Sequence, residues 1–81
     1  MAKPSPKFAG NEFLVALGGA IRQARNEQAL SQEGLAAEAE LDRSYMGGVE
    51  RGEHNITVMN LIKVCQALKR KPSKLFESTG L

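Results

Sequence analysis

LDRSYMGGVERGE, residues 41–53, decides how the rest of the chain is read. Asp42 is a good helix N-cap, because its carboxylate can accept an N–H that the first helical turn leaves unpaired. Gly52 is a good stop, because glycine enters the left-handed backbone that ends many helices. Between them the pattern predicts a short helix over residues 43–51. Two adjacent glycines, Gly47 and Gly48, interrupt it, and each costs a helix interior ~1 kcal/mol relative to alanine. At roughly 100° per residue, Met46, Val49 and Glu50 share one face. Ser44, Gly47, Gly48 and Arg51 share the opposite face, flanked by Arg43 and Tyr45. The outward face is small and polar, with a guanidinium at each end. The glycines read as clearance that lets the backbone come close to another surface. Such a helix is marginal alone and depends on packing.

Upstream, Ser31 is another N-cap, and Glu33 favours a first turn through the helix dipole. A short helix follows over residues 32–39, with Leu35, Ala36 and Ala39 inward. Its cap lies eleven residues before Asp42. Glu40 and Leu41 make the connecting turn, too short for an antiparallel helical hairpin. Two short capped helices joined in this way outline a helix-turn-helix, residues 31–52.

The flanking segments are helical too. Asn11 caps residues 12–28, where Phe13, Leu14, Leu17, Ile21 and Ala24 follow helical spacing. Gly18 and Gly19 weaken that helix, and close packing against a neighbour would explain them. Thr57 caps residues 58–69, with Val58, Leu61, Val64, Cys65 and Leu68 inward. Pro72 suits the first turn of a last helix ending near Ser78, with Leu75 and Phe76 as its apolar side. Residues 1–10, MAKPSPKFAG, hold two of the three prolines and read as a flexible arm. The expectation is an all-α, five-helix domain over residues 11–81.

Composition narrows the function classes. The chain has 81 residues, 42% of them apolar, which is room for one economical core. No apolar run approaches the ~18 residues of a membrane span. Met1 to Gly10 lacks the apolar centre of a signal peptide. Cys65 is the single cysteine, so no disulfide framework or multi-cysteine metal site is expected. These features point to a reduced cytoplasmic setting and to no membrane partner. One histidine, one core-type cysteine and no carboxylate cluster leave no nucleophile–base or metal constellation. No enzyme activity and no cofactor are expected.

Net charge is +2, a weak signal for a nucleic-acid partner. Basic residues gather at the ends, at Lys3 and Lys7 and at Lys69, Arg70, Lys71 and Lys74. From Ile21 to Glu53, four arginines face seven carboxylates. Charge alone does not predict nucleic-acid binding.

The residue pattern does more. Leu17 to Phe76 resembles the Cro/lambda-repressor-like family, also called XRE-type regulators. The matching pieces are LGGAIRQAR, LSQEGLA, LDRSYMGGVERG, HNIT and NLIKVCQAL, in the family's order and spacing. Similar wording, at similar chain length, occurs in controller proteins of restriction-modification systems. The resemblance implies a lambda-repressor-like fold and a sequence-specific regulator that binds double-stranded DNA. Helix 43–51 would enter the major groove, which needs a face without bulk. With one reading helix per chain, a homodimer on a palindromic operator follows, its half-sites ~34–36 Å apart. Met59, Ile62, Leu75, Phe76 and Leu81 are candidates for the dimer surface.

Site residues follow from the same resemblance. Arg43, at the start of the reading helix, is the candidate for base readout, a bidentate Arg–guanine pair supplying ~1–3 kcal/mol of discrimination. The alternative is an exposed arginine pairing with Glu40. Ser44 can reach a base or a phosphate, or serve as a helix-start hydroxyl. Tyr45 can touch the DNA backbone or pack on the domain edge. Gln32 would contact phosphate and brace the reading helix. Gly47 and Gly48 would lie under the groove. Arg51, His54 and Asn55 follow the helix where the family touches phosphates, although a lone surface histidine is more often inert. Arg25 and Glu50 would form a buried structural ion pair. Cys65 reads as core.

Three departures stand out. Glu40 occupies a turn position where the family most often has glycine, and left-handed backbone there would be strained. Gly34 replaces a helix-favouring polar residue. Gly47 replaces Ser or another polar residue, so a relative's sequence preference does not transfer. The competing class is a protein-interaction module, antitoxin-like or docking, supported by the acidic middle and by Gly47-Gly48. It predicts no salt-dependent DNA affinity, whereas phosphate contacts give a steep loss with salt.

Overall fold

The computed structural model describes residues 3–5 and 7–81. Five helices follow one another: α1 (Glu12–Glu27), α2 (Gln32–Glu38), α3 (Arg43–Glu50), α4 (Val58–Ala67) and α5 (Pro72–Glu77). No strand occurs among the described residues. The helix-start chemistry is local and explicit. Asn11 Oδ1 accepts from the Phe13 N–H at 2.9 Å, and Ser31 Oγ from the Gly34 N–H at 2.9 Å. Asp42 Oδ2 accepts from the Tyr45 N–H, and Thr57 Oγ1 from the Asn60 N–H, both at 3.1 Å. Each satisfies a donor that the first turn cannot. Pro72 opens α5 without a side-chain cap.

The first four helices end alike. After α2, the Leu41 N–H donates to the Ala36 carbonyl and the Glu40 N–H to the Ala37 carbonyl. That crossed pair is a Schellman motif and needs a left-handed residue between. Glu40 supplies it, at φ +57°. Ala29 and Lys69 do the same after α1 and α4, at φ +56° and +53°. Gly52 does so after α3, at φ +77°. The turn of the helix-turn-helix therefore keeps its left-handed geometry with a glutamate in place. The strain amounts to ~1–2 kcal/mol and is borne by the two carbonyl-satisfying hydrogen bonds.

Ile21, Leu35, Met46, Val64, Leu68 and Leu75 are fully buried and draw one residue or more from every helix. α1 packs on α3 and α5, α2 on α3 and α4, and α4 on α5. Gly18 makes the closest crossing possible, since a Cβ there would fall on the Val49 and Glu50 carbonyls. Gly19 has no such role; a Cβ there would meet nothing within 4 Å. Three apolar expectations need correction. Phe13 is 59% exposed and Val58 71% exposed, both in the first turns of their helices. Leu75, a candidate for a dimer surface, is instead core. Cys65 is buried, and that burial pushes its thiol up, away from reactivity. No described helix is long and apolar enough to cross a membrane.

Candidate nucleic-acid interface

A cleft of about 310 Å³ lies along α3, lined by Pro4, Arg43, Ser44, Gly47, Arg51, Glu53 and His54. It brings together five of the residues singled out from sequence: Arg43, Ser44, Gly47, Arg51 and His54. Arg43 is exposed at the first position of α3. Among the described residues it makes no ion pair, with Glu40 or any other carboxylate. Its guanidinium thus keeps all its donors for a ligand. Ser44 beside it is half-buried.

The two glycines have different surroundings. Gly47 forms part of the cleft, but a Cβ on it would come within 3.1 Å of Arg51 Nη1 and 3.2 Å of Gln32 Oε1. Gly48 is not on the open face. A Cβ there would lie 2.6 Å from His54 Cδ2. The loop after α3 folds back and lays the imidazole over the space a side chain would need. A wheel drawn for one helix omits that loop, and both glycines are buried. The clearance therefore accommodates this chain's own side chains. His54 is accordingly no surface histidine; it is 7% exposed, and its ring lies 4.7 Å from the Tyr45 ring.

Tyr45 is held from its other end as well. Its hydroxyl accepts from Asn60 Nδ2 at 3.2 Å, and its ring packs against the core. Asn55 is exposed, and its backbone N–H donates to Ser5 Oγ at 2.8 Å. The Ser5 N–H donates to the Glu53 carbonyl, and the Gly10 N–H to the Gly52 carbonyl. Within the segment read as a flexible arm, Ser5 and Gly10 are thus bonded to the loop that follows α3, and residues 1, 2 and 6 lie outside the described residues. Proline and charge patterns carried no signal for these backbone contacts.

Under the cleft lies a polar cluster centred on Glu50, whose side chain is fully buried. Arg25 Nε donates to Glu50 Oε2 at 2.7 Å, and Arg25 Nη2 to Oε1 at 3.1 Å. Gln32 Nε2 donates to the same Oε1 at 3.1 Å, and Arg22 Nε at 3.4 Å. Burial pushes the Glu50 carboxyl up, but the bonds from Arg25, Gln32 and Arg22 and the Arg25 charge outweigh it, and the net direction is down. Gln32 therefore ties α2 to the end of α3. Arg22 was not foreseen, although it lies one turn before Arg25 on the same helix.

Glu53 was also missed. Its carboxylate accepts from Arg51 Nε at 2.8 Å and from Arg51 Nη2 at 3.2 Å. The two-residue spacing was the only cue in the sequence. Hydrogen bonding from Arg51 holds the Glu53 carboxyl below its ordinary value and raises Arg51 in turn. The cleft's second guanidinium is thus already engaged, unlike that of Arg43.

Known proteins resemble this chain in sequence and fold. A helix-turn-helix family model matches residues 21–75. Control protein C.MunI of a Mycoplasma species is 36% identical over 67 residues, which cover 82% of this chain and 90% of that one. Control protein C.SmaI of Serratia marcescens is 44% identical over 61 residues, 75% of this chain and 73% of that one. Among solved structures, the restriction-modification controller protein C.AhdI from Aeromonas hydrophila superposes with a TM-score of 0.75. Its identity is 47%, covering 76% of this chain and 94% of that one. The chain belongs to the helix-turn-helix family of XRE type, and its relatives there include control proteins of restriction-modification systems.

Proposed function

We propose that the protein is a transcription regulator that binds double-stranded DNA and controls restriction-modification genes, reading the major groove with α3. The observation that carries this reading is the cleft along α3. It has a small-residue floor at Gly47 and an uncommitted guanidinium at Arg43, on a helix whose end is tied to α1 and α2 through Glu50. A groove-reading helix needs close backbone approach at its centre and long donors at its start. Arg43 supplies the bidentate base contact and Ser44 a neighbouring base or phosphate contact. Gln32, Arg51 and Asn55 face the DNA backbone. Tyr45 and His54 act mainly by holding the loop after α3 in place. Arg25 and Glu50 are structural. Regulation of this kind is exerted in the cytoplasm.

One α3 per chain reads one half-site, so the working form is a homodimer on a palindromic operator. Exposed apolar side chains available for pairing include Met59, Phe76 and Leu81. The domain is residues 11–81, with Ser5 and Gly10 before it bonded to the loop after α3. Selection of bound sites from random duplex DNA tests the function. An inverted-repeat consensus, lost with Arg43→Ala, is the expected result; recovery of no consensus would favour an interaction module. Sedimentation that finds only monomer, free and on DNA, would remove the dimer.

A further inference from the structure

Within the DNA-binding reading, we infer that Glu53 restrains the overall affinity and the salt dependence of DNA binding by competing with phosphate for Arg51. Glu53 lines the same cleft as Arg43, Ser44 and Arg51. It is the one carboxylate among the cleft-lining residues, on a surface whose ligand would be an anion. It takes two of the donors of Arg51, the bidentate geometry that a phosphate would otherwise receive. The carboxyl is ionised at neutral pH, because Arg51 lowers its proton affinity.

Two consequences follow. A phosphate that approaches the Nε edge of Arg51 must displace Glu53, and one that takes the remaining donors lies beside its charge. That opposes every duplex equally, whatever its sequence, because phosphates carry no sequence information. Base contacts by Arg43 are unaffected, since Arg43 has no carboxylate partner. Operator and scrambled duplexes are therefore weakened by the same factor, and the preference between them stays with base contacts such as those of Arg43. The exposed backbone of the loop is not altered by the side chain at 53. Its carbonyl still receives the Ser5 N–H.

The test is salt-dependent binding of the wild-type chain, Glu53→Gln, Arg51→Ala and the double variant to operator and scrambled duplexes, with thermal melts to confirm folding. One released phosphate contact adds about 0.9 to the salt slope, which is roughly an eightfold gain in affinity at 0.1 M salt. Glu53→Gln is expected to gain up to about that much on both duplexes, to steepen the slope by up to about one, and to leave the operator-to-scrambled ratio nearly unchanged. In the Arg51→Ala background the same substitution should change affinity by less than about twofold, because its effect passes through Arg51. An unchanged or weaker affinity of Glu53→Gln for scrambled duplex, with the wild type binding normally, overturns this inference alone. So does an equal gain in the Arg51→Ala background, which would mean a general charge effect. Absence of salt-dependent binding by the wild-type chain overturns the DNA-binding reading and this inference with it.

Discussion

Replacing Glu50 by glutamine should unfold much of the margin of this protein. The carboxylate is fully buried and accepts four hydrogen bonds from three side chains. Glutamine keeps the shape and one acceptor oxygen. If that oxygen takes the place of Oε1, it still serves Arg25 Nη2, Gln32 and Arg22. The amide nitrogen then faces Arg25 Nε across 2.7 Å, donor against donor. If the amide is reversed, three donors meet a donor instead. Either way the Arg25 charge, its side chain only 13% exposed, loses its counter-ion. Removing one partner of a buried pair costs ~3–5 kcal/mol, and the retained acceptor places glutamine near ~3 kcal/mol. A domain of this kind has a total stability of roughly 5–15 kcal/mol. At ~4–8 °C per kcal/mol for this chain length, the melting temperature should fall by about 12–24 °C, measured by circular dichroism at pH 7. The pH dependence supplies a second readout. The folded pKa of Glu50 lies below its ordinary 4.5. Its contribution is therefore present above that ordinary value and is lost as pH falls through the folded one. The gap between wild type and Glu50→Gln should narrow on acidification. A drop of less than about 4 °C at neutral pH, roughly 1 kcal/mol, would refute the assignment of Glu50 as a linchpin beneath α3.

Four further substitutions test the backbone geometry. Gly18→Ala should destabilise by ~1–3 kcal/mol, as overpacking against fixed carbonyls does, while Gly19→Ala should stabilise by ~1 kcal/mol through helix propensity alone; melts of the two variants with the same sign would contradict the packing described. Gly48→Ala should destabilise the wild-type chain by displacing the His54 ring, yet stabilise a His54→Ala chain by ~1 kcal/mol once the space is empty. Denaturant titration of the four chains reads that reversal, and an equal effect in both backgrounds would sink it. Glu40→Gly should raise stability by ~0.5–1 kcal/mol, the left-handed strain relieved less the added freedom of the unfolded chain. A lower melting temperature would show that the glutamate side chain supplies a contact of its own.

Legibility in the sequence followed the range of the interactions. Helix starts were readable because Asn11, Ser31, Asp42 and Thr57 act on N–H groups two or three residues away. Central core positions such as Ile21, Leu35, Met46 and Val64 were readable because helical spacing repeats over several turns. Phe13 and Val58 were misread since periodicity identifies a face but not where the neighbouring helix stops. Gly48 was misread because its occupant, His54, arrives from a loop six residues later. At Glu40 the residue type argued against left-handed backbone, but two hydrogen bonds at the helix end outweighed it. The Arg25–Glu50 contact and a bracing Gln32 came through family resemblance, whereas Arg22 joining them, and Glu50 as the point where all three meet, required three-dimensional convergence. Nothing in residues 3–5 announced that Ser5 would bind the Glu53 carbonyl.

The most direct test of the central claim is an anisotropy titration of a selected duplex against a scrambled one, across salt concentrations, with wild-type and Arg43→Ala chains. The wild type should show a log–log salt slope of several units, about 0.9 per phosphate contact. Arg43→Ala should lose ~1–3 kcal/mol of preference for the selected duplex while keeping nearly the same slope. Equal affinity of the wild type for both duplexes, or affinity that does not change with salt, would contradict the central claim.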